Sequence, residues 1–361
     1  MSFLQKKIFN FCGDTFGVDL SDLNVKVIQL EREGEKDRVV SYGRISIPPG
    51  CINDGEIIDK DKVVSALRDV VRTSIPKRIR AKKVICSLPE TKAFLRIINI
   101  PRMRKEEAHE AVKWEMEANI PISIDQACYD WHILGSNFCP AESSKMSVLV
   151  VAVSRKVIDQ FIEVFDLAGL DIVDMEIESI AQARSLLGKK SEKETVFIVD
   201  IGSRRTSFFA SIGNAPCFTS SIPISNRSFS DAIAAYFNIS PEESEQIRLS
   251  YGIGSMAVSD PVFSSVEPIL ENLTMEMKKF MDFYLGGLKY SSSIDRIIVC
   301  GSGATVKGVI PYLSKKMDKE VEVGNPWINL NLSKEVPIIS RENSVKYATA
   351  IGLALKGLNA Q

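Results

Sequence analysis

The chain sets apolar runs against polar turns in a pattern that recurs in its two halves. Near the start, Phe16-Gly17-Val18-Asp19-Leu20 passes through Ser21-Asp22-Leu23-Asn24 into Val25-Lys26-Val27-Ile28. In the middle, Val196-Phe197-Ile198-Val199-Asp200 passes through Ile201-Gly202-Ser203-Arg204-Arg205 into Thr206-Ser207-Phe208. Each run predicts an apolar strand, an Asp, a tight polar turn and a second strand, which together make a β-hairpin. A third run, Ile297-Ile298-Val299-Cys300-Gly301-Ser302-Gly303, predicts a buried strand and a glycine turn, with a helix following toward Leu313. Gly301 and Gly303 would let backbone come close to a ligand, and the helix N-terminus behind them favours anions.

The segments between these runs read as follows. Asp59–Arg72 predicts an amphipathic helix with Val63, Val64, Leu67, Val70 and Val71 on one stripe. Strands are expected at 84–88 and 93–100, then a helix over Lys105–Ala118 and a strand over Tyr129–Leu134. This small α+β unit interrupts the first half. Met146–Val153 restores a strand, Ser154 caps a helix over Arg155–Ala168, and Gly169 ends it. A helix at 178–187 leads into the polar linker Gly188–Glu194, a natural domain boundary. Ser240 and Glu243 have capping-box spacing with Pro241 at the first helical position. A long helix over Val266–Lys289 carries Ile269, Leu270, Leu273, Met277, Phe280, Met281, Tyr284 and Leu288 on one face.

Composition narrows the classes. With 361 residues the chain can build two or more sizeable cores, and its formal net charge of −1 gives no field that would recruit nucleic acid. The local basic run Arg78-Ile79-Arg80-Ala81-Lys82-Lys83 reads as a solvated strand entrance. No apolar stretch approaches the roughly 20 residues of a membrane span. The opening Met1–Phe11 lacks a signal-peptide pattern and reads as a frayed terminus or a short amphipathic helix. The seven cysteines (12, 51, 86, 128, 139, 217, 300) form no CxxC pair, and with two histidines they argue against a zinc site. Cys86 and Cys300, inside apolar strands, read as buried thiols of a reducing cytosol.

Two hairpin turns facing each other can hold a nucleotide. Turn N–H groups take the phosphates, and Asp19 and Asp200 hold a Mg²⁺ ion, directly or through its waters. Ordinary turn chemistry explains a single Asp of this kind equally well. Two look-alikes are set aside. Gly301–Lys307 lacks the P-loop spacing, and Gly252-Ile253-Gly254 follows a helix rather than a strand.

At these residues the chain resembles the PilM family of type IV pilus assembly proteins, cytoplasmic relatives of the cell-division protein FtsA. The resemblance rests on Gly17-Val18-Asp19 with Lys26, on Ser240–Arg248, on Gly324-Asn325-Pro326-Trp327 and on Tyr347–Leu355. It implies an α/β chain of the actin-like ATPase fold, with two duplicated domains and a small α+β subdomain inserted in the first. The expected boundaries are 14–75 and 143–190 for domain 1, 76–142 for the insertion, 191–346 for domain 2 and 347–361 for a closing helix returning to domain 1.

The resemblance further implies ATP and Mg²⁺ as ligands. It assigns nucleotide contacts to Asp19, Ser21, Asp22, Leu23, Asn24 and Lys26 in the first hairpin. In the second it assigns Gly202, Ser203, Arg204 and Thr206, with Asp200 and Asp19 on the metal. Gly301, Ser302 and Gly303 would meet adenosine, and Glu245 and Arg248 would grip ribose and adenine. An alternative for Glu245 and Arg248 is a solvated ion pair. Glu178 lies where many such ATPases carry a carboxylate that orients the attacking water. The first hairpin departs from the family pattern. Ser21 stands where the family has Gly, which is a strain if that position needs positive φ, and Asp22 adds negative charge beside the expected phosphates.

The implied function is a cytoplasmic scaffold with weak or absent ATPase activity. It would bind the cytosolic N-terminal peptide of a PilN-like bitopic membrane protein and link the inner-membrane complex to the pilus motor ATPase. Two alternatives are an FtsA-like filament protein and a sugar-kinase-type enzyme. The first is disfavoured by the ending at Lys356–Gln361, the second by the lack of a recognisable base and sugar pocket.

Overall fold

The computed structural model describes residues 14–135, 144–257, 259–287, 293–332 and 339–359. The opening segment, Cys12, Cys139, the insertion boundary at 142, Leu288 and Lys289 lie outside the described residues.

The first lobe opens with β1 (Thr15–Ser21), β2 (Asn24–Glu33) and β3 (Lys36–Ser46), followed by the short β4 (Ile52–Asn53) and β5 (Glu56–Ile57). Helix α1 (Lys60–Thr73) and β6 (Lys83–Leu88) follow. Next come β7 (Ala93–Pro101), α2 (Lys105–Asn119), β8 (Ala127–Ile133) and β9 (Lys145–Ser154). The lobe ends with α3 (Arg155–Ala168), β10 (Asp171–Ile177) and α4 (Glu178–Leu186). The second lobe has β11 (Thr195–Ile201), β12 (Thr206–Ile212), β13 (Ala215–Ile222), α5 (Asn226–Phe237), α6 (Pro241–Tyr251) and α7 (Pro261–Gly287). It closes with β14 (Arg296–Cys300), α8 (Val309–Lys316), β15 (Glu320–Val323), α9 (Arg341–Ser344) and α10 (Ala348–Asn359).

A five-stranded sheet runs β10-β6-β1-β2-β3, and an eight-stranded sheet runs β15-β14-β11-β12-β13-β7-β9-β8. In β1 the period of two sorts the side chains. Phe16, Val18 and Leu20 pack with α1 and α3 in one core, whereas Gly17 lies against Ala350 of α10 on the other face. Asp19 shares the Gly17 face, so the alternation carries it to the α4–α10 side. In the second lobe the long helix α7 buries Leu270, Leu273, Met277 and Phe280 against β11 and β12, with Phe197 and Phe280 stacked at 5.0 Å between ring centroids.

Helices α4 and α10 lie between the sheets. Ala183 and Leu186 of α4 join the second-lobe core, while Ile351 and Leu355 of α10 pack on Ile28 and Leu30 of β2. The crossing is so close that a Cβ on Gly352 would run into the Ala181 carbonyl. Ser185 donates to the Ala348 carbonyl at 2.8 Å and Arg184 to the Gly352 carbonyl at 3.1 Å.

Strand pairing differs from the expected boundaries. β6, expected in the insertion, lies inside the five-stranded sheet between β1 and β10. β9, expected in domain 1, lies between β7 and β8 and shares the core of α2 through Val148 and Val150. β7, α2, β8 and β9 thus pack together, and their sheet continues that of the second lobe through Phe218 of β13 opposite Arg96 of β7. A short apolar strand carries no mark of its partner, because parallel and antiparallel neighbours demand the same side chains.

Three local expectations change as well. Ser154 precedes α3 but its hydroxyl makes no capping bond, whereas Gly169 ends the helix at φ +79° as expected. α7 starts at Pro261, before the expected Val266. The glycine turn after β14 passes into a 3₁₀ turn over Gly303–Thr305, and α8 begins only at Val309. No α-helix N-terminus therefore stands directly behind Gly301 and Gly303.

Replacing Gly352 by Ala forces the two central helices apart. Overpacking of this kind costs about 1–3 kcal/mol, to be read by chemical denaturation. Gly286→Ala in α7, where an added Cβ meets nothing within 4 Å, leaves stability unchanged or slightly raised.

Candidate functional site

The ends of β1 and β11 meet across a cleft that encloses about 980 Å³ of non-atom space, part of it open to solvent. Asp19, Ser21, Asp22, Leu23 and Lys26 line it from the first hairpin, and Asp200, Gly202, Ser203 and Arg204 from the second. Glu178 reaches it from the first turn of α4, and Gly301 and Ser302 from the turn after β14.

Asp19 and Lys26 stand directly opposite each other in the β1–β2 ladder and pair at 2.7 Å, with Asp19 buried. Lys26 is therefore turned into the cleft. Burial alone would lower its ammonium, but the Asp19 charge and hydrogen bond, helped by Asp200, outweigh that and raise it. Gln182, one helical turn beyond Glu178, donates to Asp200 Oδ2 at 2.6 Å and to Thr349 Oγ1 at 3.0 Å. Burial pushes the Asp200 carboxyl up against the opposing pull of Lys26 and Gln182. Gly301, at φ +80°, is required here because a Cβ would collide with Asp200 Oδ1. Its glycine freedom serves the approach of the β14 turn to Asp200 and the cleft wall together.

Burial also drives Glu178 well above the usual carboxylate range, and the nearby charges of Asp19, Glu90 and Asp200 push the same way. Glu90 is the carboxylate that sequence reasoning missed. It follows β6, is buried, and accepts from the Ser179 backbone and hydroxyl, each at 3.1 Å, at the start of α4. Burial raises its carboxyl too, against hydrogen bonds from Ser179 and from Thr219 of the second lobe. Gln182 could have been found from its four-residue spacing to Glu178. Arg44, Lys346 and Thr349, also on the wall, gave no local signal.

The first hairpin is sound despite its sequence. Ser21 is not among the residues with positive φ, so the turn imposes no glycine requirement there. Asp22 is not a bare charge beside the cleft. Its carboxylate accepts the Asp54 and Gly55 amides at 3.0 and 2.9 Å and pairs with Arg204 at 3.3 Å. Asn24 stands outside the wall, accepting from Arg44 at 2.8 Å and reaching Ser203 of the other hairpin at 3.4 Å.

Thr206 is buried, and its hydroxyl donates to the Ile224 carbonyl at 2.7 Å, bracing the strand behind the turn. Gly303 is packed against Ile201. Glu245 and Arg248 lie outside the cleft wall. Arg248 is buried and donates to Ser230 at 2.8 Å and Asn226 at 3.0 Å, tying α6 to α5, while its pair with Glu245 spans 3.3 Å. It is thus a packed tie between helices rather than a solvated ion pair.

Chemically the cleft gathers the carboxylates of Asp19, Glu178 and Asp200 with Lys26 and the guanidinium groups of Arg204 and Arg205. Among the described residues no three His, Cys, Asp or Glu side chains converge to ligate a metal directly. Asp19 and Asp200 suit a hydrated Mg²⁺ held through its waters. Ser302 Oγ and Arg205 Nε, of residues on the wall, are buried without a hydrogen-bond partner among the described residues, as fits a polar ligand in the cleft.

The family model described as type IV pilus assembly protein PilM matches residues 17–358. The cell division protein FtsA of Bacillus subtilis (strain 168) is 19% identical over 344 residues, covering 86% of this chain and 78% of its own. Among solved structures, a PilM–PilN type IV pilus biogenesis complex aligns at TM-score 0.79 with 22% identity, covering 96% of this chain and 99% of the other. MreB 5 of Spiroplasma citri bound to AMPPNP aligns at TM-score 0.53 with 12% identity, covering 95% and 96%. The fold is that of the actin-like ATPases.

The Glu178 shift has a sign that can be measured. A carboxyl whose folded pKa is raised holds its proton more tightly in the folded chain. The stability it contributes is greatest below the ordinary glutamate value and falls as pH rises through the folded value. Glu178→Gln removes that fall. The variant is expected to be more stable than the parent at pH 7–8, by on the order of 1 kcal/mol. The difference should vanish below the unperturbed glutamate pKa of about 4.3, as read by thermal melts across pH.

Proposed function

The chain belongs to the PilM family of type IV pilus assembly proteins, and from that membership we propose that it is a cytoplasmic actin-like scaffold that holds Mg-ATP between its lobes and binds the cytosolic N-terminal peptide of a PilN-like bitopic membrane protein. The observation that carries the nucleotide half is the apposition of the two hairpin turns, with Asp19, Lys26 and Asp200 converging on one cleft. The orphaned Ser302 hydroxyl on its wall supports the same reading. Mg²⁺ would offset the charge of the phosphates against Asp19 and Asp200. Lys26 and the turn amides would hold the phosphates. Hydrolysis in this reading is slow or absent, because Lys26 is bound to Asp19 and Asp22 to Arg204, and catalysis depends on finely fixed positions.

The peptide half is supported by two sheet edges. β8 ends the eight-stranded sheet and β10 ends the five-stranded one, so each has a side with no neighbour in its sheet among the described strands. Asp130 on β8 and Asp174 on β10 are near enough to feel each other's charge and that of Lys356. An extended peptide entering this boundary can add main-chain hydrogen bonds to an edge. Among the described residues no helix is long and apolar enough to cross a membrane. The membrane, and through it the pilus motor ATPase, would be reached by way of the partner.

Two measurements test the halves separately. Mg-ATP at a hundredfold excess over Kd should stabilise the chain by about 2.7 kcal/mol, read as a rise in Tm. Asp200→Ala should abolish that rise, and a flat response of the parent would remove the nucleotide reading. For the partner, the probe is a synthetic peptide of the N-terminal cytosolic segment of a PilN-like protein. Asp130→Arg should weaken its capture at least tenfold and leave the Mg-ATP response intact. Equal capture by parent and variant would place the peptide elsewhere.

A further inference from the structure

The turn Ser203–Arg205 carries two guanidinium groups, and both reach the first lobe, Arg205 while also donating to Ser221 of β13 at 3.3 Å. Arg204 pairs with Asp22 at 3.3 Å and donates to Asn53 at 2.8 Å. Arg205 pairs with Asp54 at 3.3 Å, while its Nε is buried without a hydrogen-bond partner. Asp54 and Gly55 form the turn of the small β4–β5 hairpin with both residues in the left-handed region, at φ +50° and +78°. A non-glycine residue in that region holds its conformation at a cost, and Asp22, accepting both turn amides, steadies it.

The far side of this hairpin touches the root of the inserted unit. The Thr91 hydroxyl donates to the Asp54 carbonyl at 3.0 Å, and a Cβ on Gly55 would run into the Pro89 ring. Thr91 lies in the 3₁₀ turn Glu90–Lys92, which passes directly into β7. Glu90 of the same turn holds the start of α4, where Glu178 enters the cleft. A continuous set of polar contacts therefore runs from the mouth of the cleft to the first strand of the insertion.

We propose that Arg204 and Arg205 sense the phosphates of a ligand in the cleft and relay its presence, through Asp22 and the Asp54–Gly55 turn, to the root of the inserted unit. The relay rests on the reading of the cleft as a nucleotide site and adds a regulation to it: nucleotide and partner peptide then bias each other. Arg204 is 41% exposed and Asp54 49% exposed on their side chains. Their partners in these pairs, Asp22 and Arg205, are 12% and 29% exposed, so each pair is open to solvent on one side and partly screened there, and a polyphosphate can compete for the guanidinium groups from that side. Once Arg204 turns to phosphate, Asp22 loses its counter-charge and its hold on the 54–55 turn changes. Coupling between sites is reciprocal, so whatever the ligand does to this turn the insertion does to the ligand.

Amide hydrogen exchange on the full chain tests this. Mg-ATP is expected to change exchange severalfold at 53–56 and at 91–100. Thr91→Val should keep the change at 53–56 and lose it at 91–100, and Arg204→Ala should lose both. A second arm needs no nucleotide: Asp22→Asn alone should speed exchange of the Asp54 and Gly55 amides at least fivefold and loosen 91–96. A parallel melt separates the two readings. If Mg-ATP gives no rise in Tm, the nucleotide site fails and the Asp22→Asn arm decides the relay. Unchanged exchange at 91–100 in Asp22→Asn, or a Mg-ATP effect there that survives Thr91→Val, overturns it.

Discussion

Everything in this structure depends on how closely α4 and α10 cross between the two sheets. Gly352 lets α10 rest on the Ala181 carbonyl, and Gly17 lets β1 rest on α10. These are contacts of backbone with backbone, and no side chain fits between them. They fix the spacing of the lobes, and that spacing sets the distance between Asp19 at the end of β1 and Asp200 at the end of β11. A helix as uniformly buried as α10 has no solvent face to give way. A change in its packing is transmitted to both lobes instead of being absorbed at a surface.

The cleft is also where the fold gives up stability. Burial holds Glu90, Glu178 and Asp200 in surroundings that favour their protonated forms, and the Lys26 charge opposes this at both Glu178 and Asp200. A fold selected for stability alone would not gather carboxyls in this way. Burial is the main cause of all three shifts, and for Glu178 and Asp200 the charges of neighbouring carboxylates add to it. The amide and hydroxyl partners, Gln182 on Asp200 and Ser179 on Glu90, orient the carboxylates without neutralising them.

The two departures in the first hairpin acquire a meaning in three dimensions. Ser21 costs nothing because its backbone is not in the left-handed region. Asp22 is matched by Arg204, about half the chain away in sequence, and it organises a turn that leads toward the insertion. A residue that looks damaging beside a phosphate loop is thus one end of a bond between lobes. The insertion is joined to the rest in more than one place, since β7 also meets β13 of the second lobe.

The sequence by itself determined the local elements and the chemistry at their ends. The two Asp-bearing hairpins, α3 over Arg155–Ala168 with Gly169 in the left-handed region, and the Ser240–Glu243 capping box follow from periodicity, turn chemistry and capping, which act within a few residues. The apposition of Asp19 and Asp200 was legible because the hairpin is duplicated and the family order is specific, whereas Lys26 could equally have faced solvent until its pairing with Asp19 turned it inward. Tertiary structure alone decided the partners of the short strands, which moved β6 into the first sheet and β9 between β7 and β8. It also brought Glu90 to α4, turned Arg248 inward to α5, and gave Asp22 its arginine. Those contacts join residues far apart in the chain. Their energy comes from burial and charge pairing, which exist only once the lobes have closed on each other, so no local pattern records them.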